Sequence, residues 1–181
     1  HRFQALQETG RGLVLQDLGD PRVHEPINVT SRHPDPAIRL IGNFAATPFQ
    51  LDGRLYASVE SFWQSLKCRL PVERDAVAAL PGSEAKKASS SIPSLEFVFF
   101  RDEPVPVGSF EHWQLMRLAC TAKFEQNETA RAALVATWPH PLEHRTRIDS
   151  VTIPGAVLAR IWTDLRQRFR STLESGAGPA R

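Results

Sequence analysis

Apolar positions along the 181-residue chain recur with two periods, and the switch between them marks out the elements. Ile27-Asn28-Val29-Thr30 alternates and predicts a strand, after which Pro34 and Pro36 predict a loop. Residues 49–56 alternate around Asp52-Gly53, a dipeptide suited to a tight hairpin turn. From Ser58 the period lengthens. Val59, Phe62 and Leu66 form one helical stripe behind a serine cap, predicting a helix to about Cys68. Pro71 separates it from a second helix over 72–80, and Ser83 opens a third to about Ser89. Ser89–Ser91 with Pro93 predict a loop. The apolar run 95–100 fits a buried strand or a helix, and its length and the Pro-rich 103–107 favour strand or extended loop. Ser109 caps a long helix over 110–124. Another covers 127–137, a short strand fits 142–146, and Pro154-Gly155 opens a last helix to about Glu174. Residues 12–15 also fit a short strand.

These elements describe a compact, mostly helical α+β domain with a small sheet over 27–172. A partly ordered extension is expected over 1–26 and a flexible tail over 173–181. The hydrophobic share of 41% supports a core, and a net charge of +2 argues against a strongly basic nucleic-acid-binding surface while leaving room for a local basic groove. Cys68 and Cys120 lack metal-ligand spacing and read as small core residues, so a reducing, cytoplasmic setting is expected. No run approaches the ~20 apolar residues of a membrane span. No zinc, calcium or phosphate-loop motif appears, so the expectation is a site without metal or other cofactor.

Three constellations carry candidate chemistry. Glu60, Trp63, Gln64 and Lys67 stand at i, i+3, i+4 and i+7, on one face beside the apolar stripe. They fit either a solvated face with Trp63 half-buried or a cleft wall joining a carboxylate to an indole. Trp113 and Arg117 are one turn apart on the 110–124 helix, where Trp113, Met116, Cys120 and Phe124 equally fit a plain core stripe. Lys123 and Asn127 flank the end of that helix, where satisfying its last carbonyls is the simpler role. His144, Thr146 and Asp149 alternate along a segment that is either one wall of a site or a surface loop.

Taken in order, Ile41-Gly42-Asn43-Phe44, Thr47-Pro48-Phe49, Leu51-Asp52-Gly53, the Tyr56–Lys67 stretch, Gly82–Lys86, Trp113–Met116, Lys123–Asn127, Leu134–Thr137 and then Leu142, His144, Thr146 and Asp149 resemble the NADAR (YbiA-like) family. The likeness covers roughly 27–170. It differs where Gly42 stands for the usual Ser, where Trp138 follows Thr137, and where 150–154 lacks the Trp-Gly pair after Asp149. The resemblance implies an N-glycosidase that cleaves a base–ribose bond. Its substrate would be an ADP-ribosyl-guanine nucleotide, ADP-ribosylated nucleic acid, or a riboflavin-pathway intermediate. Glu60, Asp149 and Lys86 are then the catalytic candidates. Lys86 would pair a phosphate, or attack an opened ribose if burial lowered its amine pKa. Arg39, Asn43, Phe44, Trp63, Gln64, Trp113, Lys123, Asn127 and His144 are the substrate-binding candidates. A monomer, with a cognate ADP-ribosyltransferase toxin as a possible partner, completes the expectation. The alternative is a module that binds ADP-ribose or a related nucleotide without cleaving it.

Overall fold

The computed structural model describes residues 24–93 and 95–176. The strand expected at 12–15 lies outside the described residues. Among these residues the chain runs β1 (Ile27–Asn28), α1 (Pro36–Ile41), β2 (Phe49–Leu51), β3 (Arg54–Tyr56), α2 (Val59–Ser65), α3 (Pro71–Ala78), α4 (Gly82–Ser89), β4 (Phe97–Phe100), β5 (Glu103–Pro106), α5 (Phe110–Gln126), α6 (Glu128–Ala136), β6 (Leu142–Glu143) and α7 (Gly155–Gly176). It is an α+β fold dominated by helices. Its strands form three separate pairs rather than one small sheet.

The loop expected around Pro34 and Pro36 holds a helix instead. Pro36 occupies the first helical position, where its missing N–H costs nothing, and Asp35 caps the helix by accepting from the amide of Ala37 at 2.8 Å. The Asp52-Gly53 turn forms as expected, with φ of 52° and 75°, the left-handed pair that a two-residue hairpin requires. The β4–β5 turn uses the same geometry without glycine, at Arg101 (φ 51°) and Asp102 (φ 64°). Ion pairs hold that unfavourable tip: Arg101 grips Asp52 through two hydrogen bonds of 2.7 and 2.8 Å, and Arg74 meets Asp102 at 2.5 Å. The prolines at 104 and 106 are tolerated because β5 pairs on one edge only.

Helix α2 is the centre of the molecule. Ser58 caps it, accepting from the Ser61 amide at 3.0 Å. Every residue of the helix is buried, so the face that reads as polar in sequence is internal too. Its polar groups are satisfied there, as burial demands: the Ser61 hydroxyl donates to the Leu80 carbonyl at 2.6 Å and that of Ser65 to the Phe62 carbonyl at 2.7 Å. Helices α3, α4 and α5 pack around it. Gly82 lets α4 approach closely, since a Cβ there would lie 3.1 Å from the Cβ of Glu60 and 3.2 Å from the Cα of Phe44. The parallel β1–β6 pair, Ile27 with Leu142 and Asn28 with Glu143, joins the two ends of the fold. No described helix is long and apolar enough to cross a membrane.

Candidate functional site

A cleft of about 990 Å³ opens where α2, α4, the turn after α1 and the segment following β6 meet. Three of its walls come from sequence-distant stretches: Val29–Arg32 with Gly42–Phe44, Glu60–Lys67 with Lys86, and His144–Ile153. The cleft therefore gathers Asn43, Phe44, Glu60, Trp63, Gln64, Lys86, His144 and Asp149 from the residues singled out in the sequence.

Glu60 is 6% exposed, and its backbone amide donates to the Asn43 carbonyl at 2.9 Å, tying the carboxylate-bearing turn to the Asn43–Phe44 wall. Burial raises its pKa above the ordinary value. The hydrogen bond from Gln64 and the nearby charges of Lys86, Lys67 and His144 oppose that rise. Lys67 is half-buried, and burial lowers its amine pKa although Glu60 pulls it the other way. Lys86 is exposed, with its Nζ 5.4 Å from the centre of the Phe44 ring. The burial required for an activated amine thus belongs to Lys67, which the spacing placed on the right face but which was not among the expected site residues.

Gln64 borders the cleft, but both ends of its amide are engaged. Nε2 donates to Glu60 Oε1 at 2.7 Å, and Oε1 accepts from the Ser89 hydroxyl. Trp63 lies flat on His112, ring centres 3.9 Å apart and planes at 6°, so one indole face is already covered. His112 was missed in the sequence, hidden beside the more conspicuous Trp113. Its Nδ1 accepts from the Gly108 amide at 3.1 Å, which leaves the proton on Nε2. Burial lowers its pKa to about 4, so the ring is neutral.

On the opposite wall, His144 Nδ1–H donates to the Val29 carbonyl at 2.7 Å, which fixes the ring against β1. Asp149 is exposed, and its Oδ1 accepts from the amides of Ser150 (3.0 Å) and Gly155 (2.8 Å). The carboxylate thereby anchors the loop to the start of α7. Gly155 is required at that junction, because a Cβ there would come 2.0 Å from the His144 carbonyl oxygen.

Four expected binding residues lie outside the cleft. Arg39 donates to the carbonyls of His33 (2.7 Å) and Pro34 (3.1 Å), bracing the entry to α1. Lys123 is fully buried and donates to the carbonyls of Ile41 (3.0 Å) and Gly42 (2.8 Å), a cation at the C-terminal end of α1. Burial lowers its pKa to about 7. Asn127 donates to the Pro48 and Lys123 carbonyls at 2.9 and 3.0 Å. Trp113 donates its indole N–H to the Thr152 carbonyl at 2.8 Å, pinning the 144–154 loop from behind. Each supports a wall rather than presenting a group to it. Among the described residues no group of three or more His, Cys, Asp or Glu side chains is arranged to hold a metal ion.

Chemically the site is a pocket with a buried, cation-flanked carboxylate, a largely covered indole and an imidazole on each side. No family model matches the chain. Over 113 residues, 60% of its length, it is 33% identical to N-glycosidase YbiA of Escherichia coli K12 and 31% identical to that of Shigella boydii serotype 4. The matched segment spans 63% of these relatives, under two thirds of their length. The fold matches the solution structure of E. coli YbiA with a TM-score of 0.60 at 20% identity, covering 91% of this chain and 97% of that one. The chain is a homologue of the YbiA proteins and has their fold, consistent with the NADAR, YbiA-like family.

Proposed function

We propose that the protein is an N-glycosidase that hydrolyses a base–ribose bond in a nucleotide-type substrate. The observation that carries this reading is Glu60, a carboxylate buried in the cleft between Lys67 and Lys86. Cleaving an N-glycosidic bond builds positive charge on the ribose and negative charge on the departing base. A carboxylate beside the anomeric carbon answers the first, and lysine or imidazole donors beside the base answer the second. Glu60 stabilises the developing cation or activates the attacking water. Asp149, already committed through Oδ1 to loop amides, orients the ribose rather than shuttling protons. Lys86 pairs with a substrate phosphate at the mouth, and Asn43, Phe44 and His144 frame the sugar and base. Similarity to the N-glycosidase YbiA proteins supports the reaction class. Within it, an ADP-ribosyl-guanine nucleotide, free or in nucleic acid, is our first choice of substrate and a riboflavin-pathway nucleotide our second.

The test is Glu60→Gln, which keeps shape and removes charge. Single-turnover release of ADP-ribose from an ADP-ribosylated guanosine nucleotide should slow about a hundredfold to a thousandfold, with calorimetric affinity largely retained. Release of ADP-ribose at the parent rate removes Glu60 from the mechanism. A second reading, a nucleotide-binding module without turnover, is favoured by the structural use of Asp149 and by the covered face of Trp63. Binding of an ADP-ribosylated guanosine nucleotide with no release of ADP-ribose by the parent protein would select it.

A further inference from the structure

We propose that Ser89 and Gln64 form a positioning relay for Glu60, in which the serine hydroxyl sets which end of the amide meets the carboxylate and the amide N–H sets where the carboxylate points. The inference rests on Glu60 being the working carboxylate of the cleft, and it identifies residues that act through it without touching substrate.

The relay crosses two helices. Glu60 and Gln64 are one turn apart on α2, whereas Ser89 is the last residue of α4. All three are buried, at 6%, 5% and 1% exposure, so water does not substitute for a lost partner. Ser89 donates to Gln64 Oε1, and Gln64 Nε2 donates to Glu60 Oε1 at 2.7 Å. Turning the amide over would set its oxygen against the ionised carboxylate, two acceptors facing each other in a dry site. A hydroxyl donating to Oε1 therefore favours the sense of the amide that serves an ionised Glu60. With Oε1 taken, the second carboxylate oxygen has no hydrogen-bond partner among the described residues and is left to the cleft.

The geometry gives Gln64, at the cleft margin, a role inside the protein: both ends of its amide already hold a partner. It also gives a reason for the close packing at Gly82, which brings α4 within reach of α2. The charged or titratable groups near Glu60 come from three directions: Lys67 past the end of α2, Lys86 on α4, and His144 after β6. These act through space on the carboxylate's charge. Gln64 is the one neighbour that also fixes its direction.

The experiment compares Gln64→Met and Ser89→Ala with the parent in three measurements: the titration of the Glu60 carboxyl carbon by NMR, the pH profile of single-turnover ADP-ribose release from an ADP-ribosylated guanosine nucleotide, and thermal unfolding. Gln64→Met should move the Glu60 midpoint upward, carry the acid limb of the rate profile with it, and cut the pH-independent rate about tenfold, the loss of one hydrogen bond to a charged group. Ser89→Ala should move both in the same direction by less. A Glu60 midpoint and acid limb unmoved in both folded variants would overturn the relay. If Gln64→Met does not fold, Ser89→Ala decides alone, since it leaves α2 untouched. If the midpoint moves in the variants while even the parent releases no ADP-ribose, the relay stands and the glycosidase reading fails. If the parent releases ADP-ribose and the midpoint stays put, the reverse holds.

Discussion

Helix α2 and the segment 144–154 both border the cleft, but they are held in place by different physics. On α2 every side chain is buried, and Glu60, Ser61, Gln64 and Ser65 each hydrogen-bond to a neighbour fixed by packing. The 144–154 segment is largely exposed, with Ile148 at 75% and Val151 at 95% in contact with solvent. It is held by a few polar ties: His144 to Val29, Asp149 to the α7 amides, and Trp113 to Thr152. A group whose charge must be tuned needs the first kind of support, because desolvation acts only where water is excluded. A wall that must fit varied substrates is better served by the second, where a changed side chain costs little stability. The 150–154 stretch, where the sequence departs from the pattern it otherwise resembles, falls in the loose wall, where a change costs little and leaves Glu60 undisturbed.

The contrast can be broken most severely from behind the rigid side. Lys123→Met leaves the buried Ile41 carbonyl without its donor and the Gly42 carbonyl with only the Ala45 amide, and should cost about 3 kcal/mol in denaturant unfolding. A loss under about 1 kcal/mol would mean that the lysine's own desolvation cancels its hydrogen bonds. Next is Gly155→Ala, whose methyl meets the His144 carbonyl. It should destabilise by about 2 kcal/mol and weaken nucleotide binding, because the anchored end of the loop must shift. Unchanged binding by calorimetry would show that the loop does not contact ligand.

Glu60→Gln sharpens the comparison in the opposite sense. The folded-state pKa of Glu60 is raised above its ordinary 4.5, so between that value and the raised one the native protein binds more protons than the unfolded chain. Its contribution to stability therefore falls as pH rises through this window and stays low above it. Glu60→Gln should unfold at or above the parent temperature at neutral pH, and the advantage should vanish as pH drops below the ordinary Glu range. A lower unfolding temperature at pH 7 would make the carboxylate a structural group. The smallest effect belongs to Val151→Ser, expected within about 0.5 kcal/mol of the parent in stability yet changing KM several-fold if the loop faces substrate.

Much of the rigid wall was legible in the sequence, because it is local. The Ser58 cap, the i, i+3, i+4, i+7 run from Glu60 to Lys67 and the Asp52-Gly53 turn are set by neighbours a few residues away. The helix at 36–41 was legible too, through Asp35 before Pro36, but two prolines weighed as loop formers obscured it. What pattern does not carry is the direction of a side chain toward a distant partner. Lys123 finds its carbonyls 81 and 82 positions away, and Trp113 finds Thr152 39 positions away. Spacing alone leaves such residues indistinguishable from ligands of a substrate. Lys67 and His112 were overlooked for the converse reason: their value comes from burial, which only the assembled fold supplies.

The short β1–β6 pair carries a consequence for how the protein is made. Asn28 exchanges hydrogen bonds with the backbone of Arg145 across 117 positions of chain, and the two flanking stretches become walls of the cleft. A ribosome that has released the chain as far as residue 130 has delivered Glu60, Lys67 and Lys86 with the Val29–Phe44 wall, but not the His144–Ile153 wall. Closing so long a loop costs about 4 kcal/mol of chain entropy on simple scaling, and two residue pairs of strand offset only part of it. The complete cleft therefore forms only after the 144–153 stretch has been made, and no fragment ending before the start of α7 contains all of its lining.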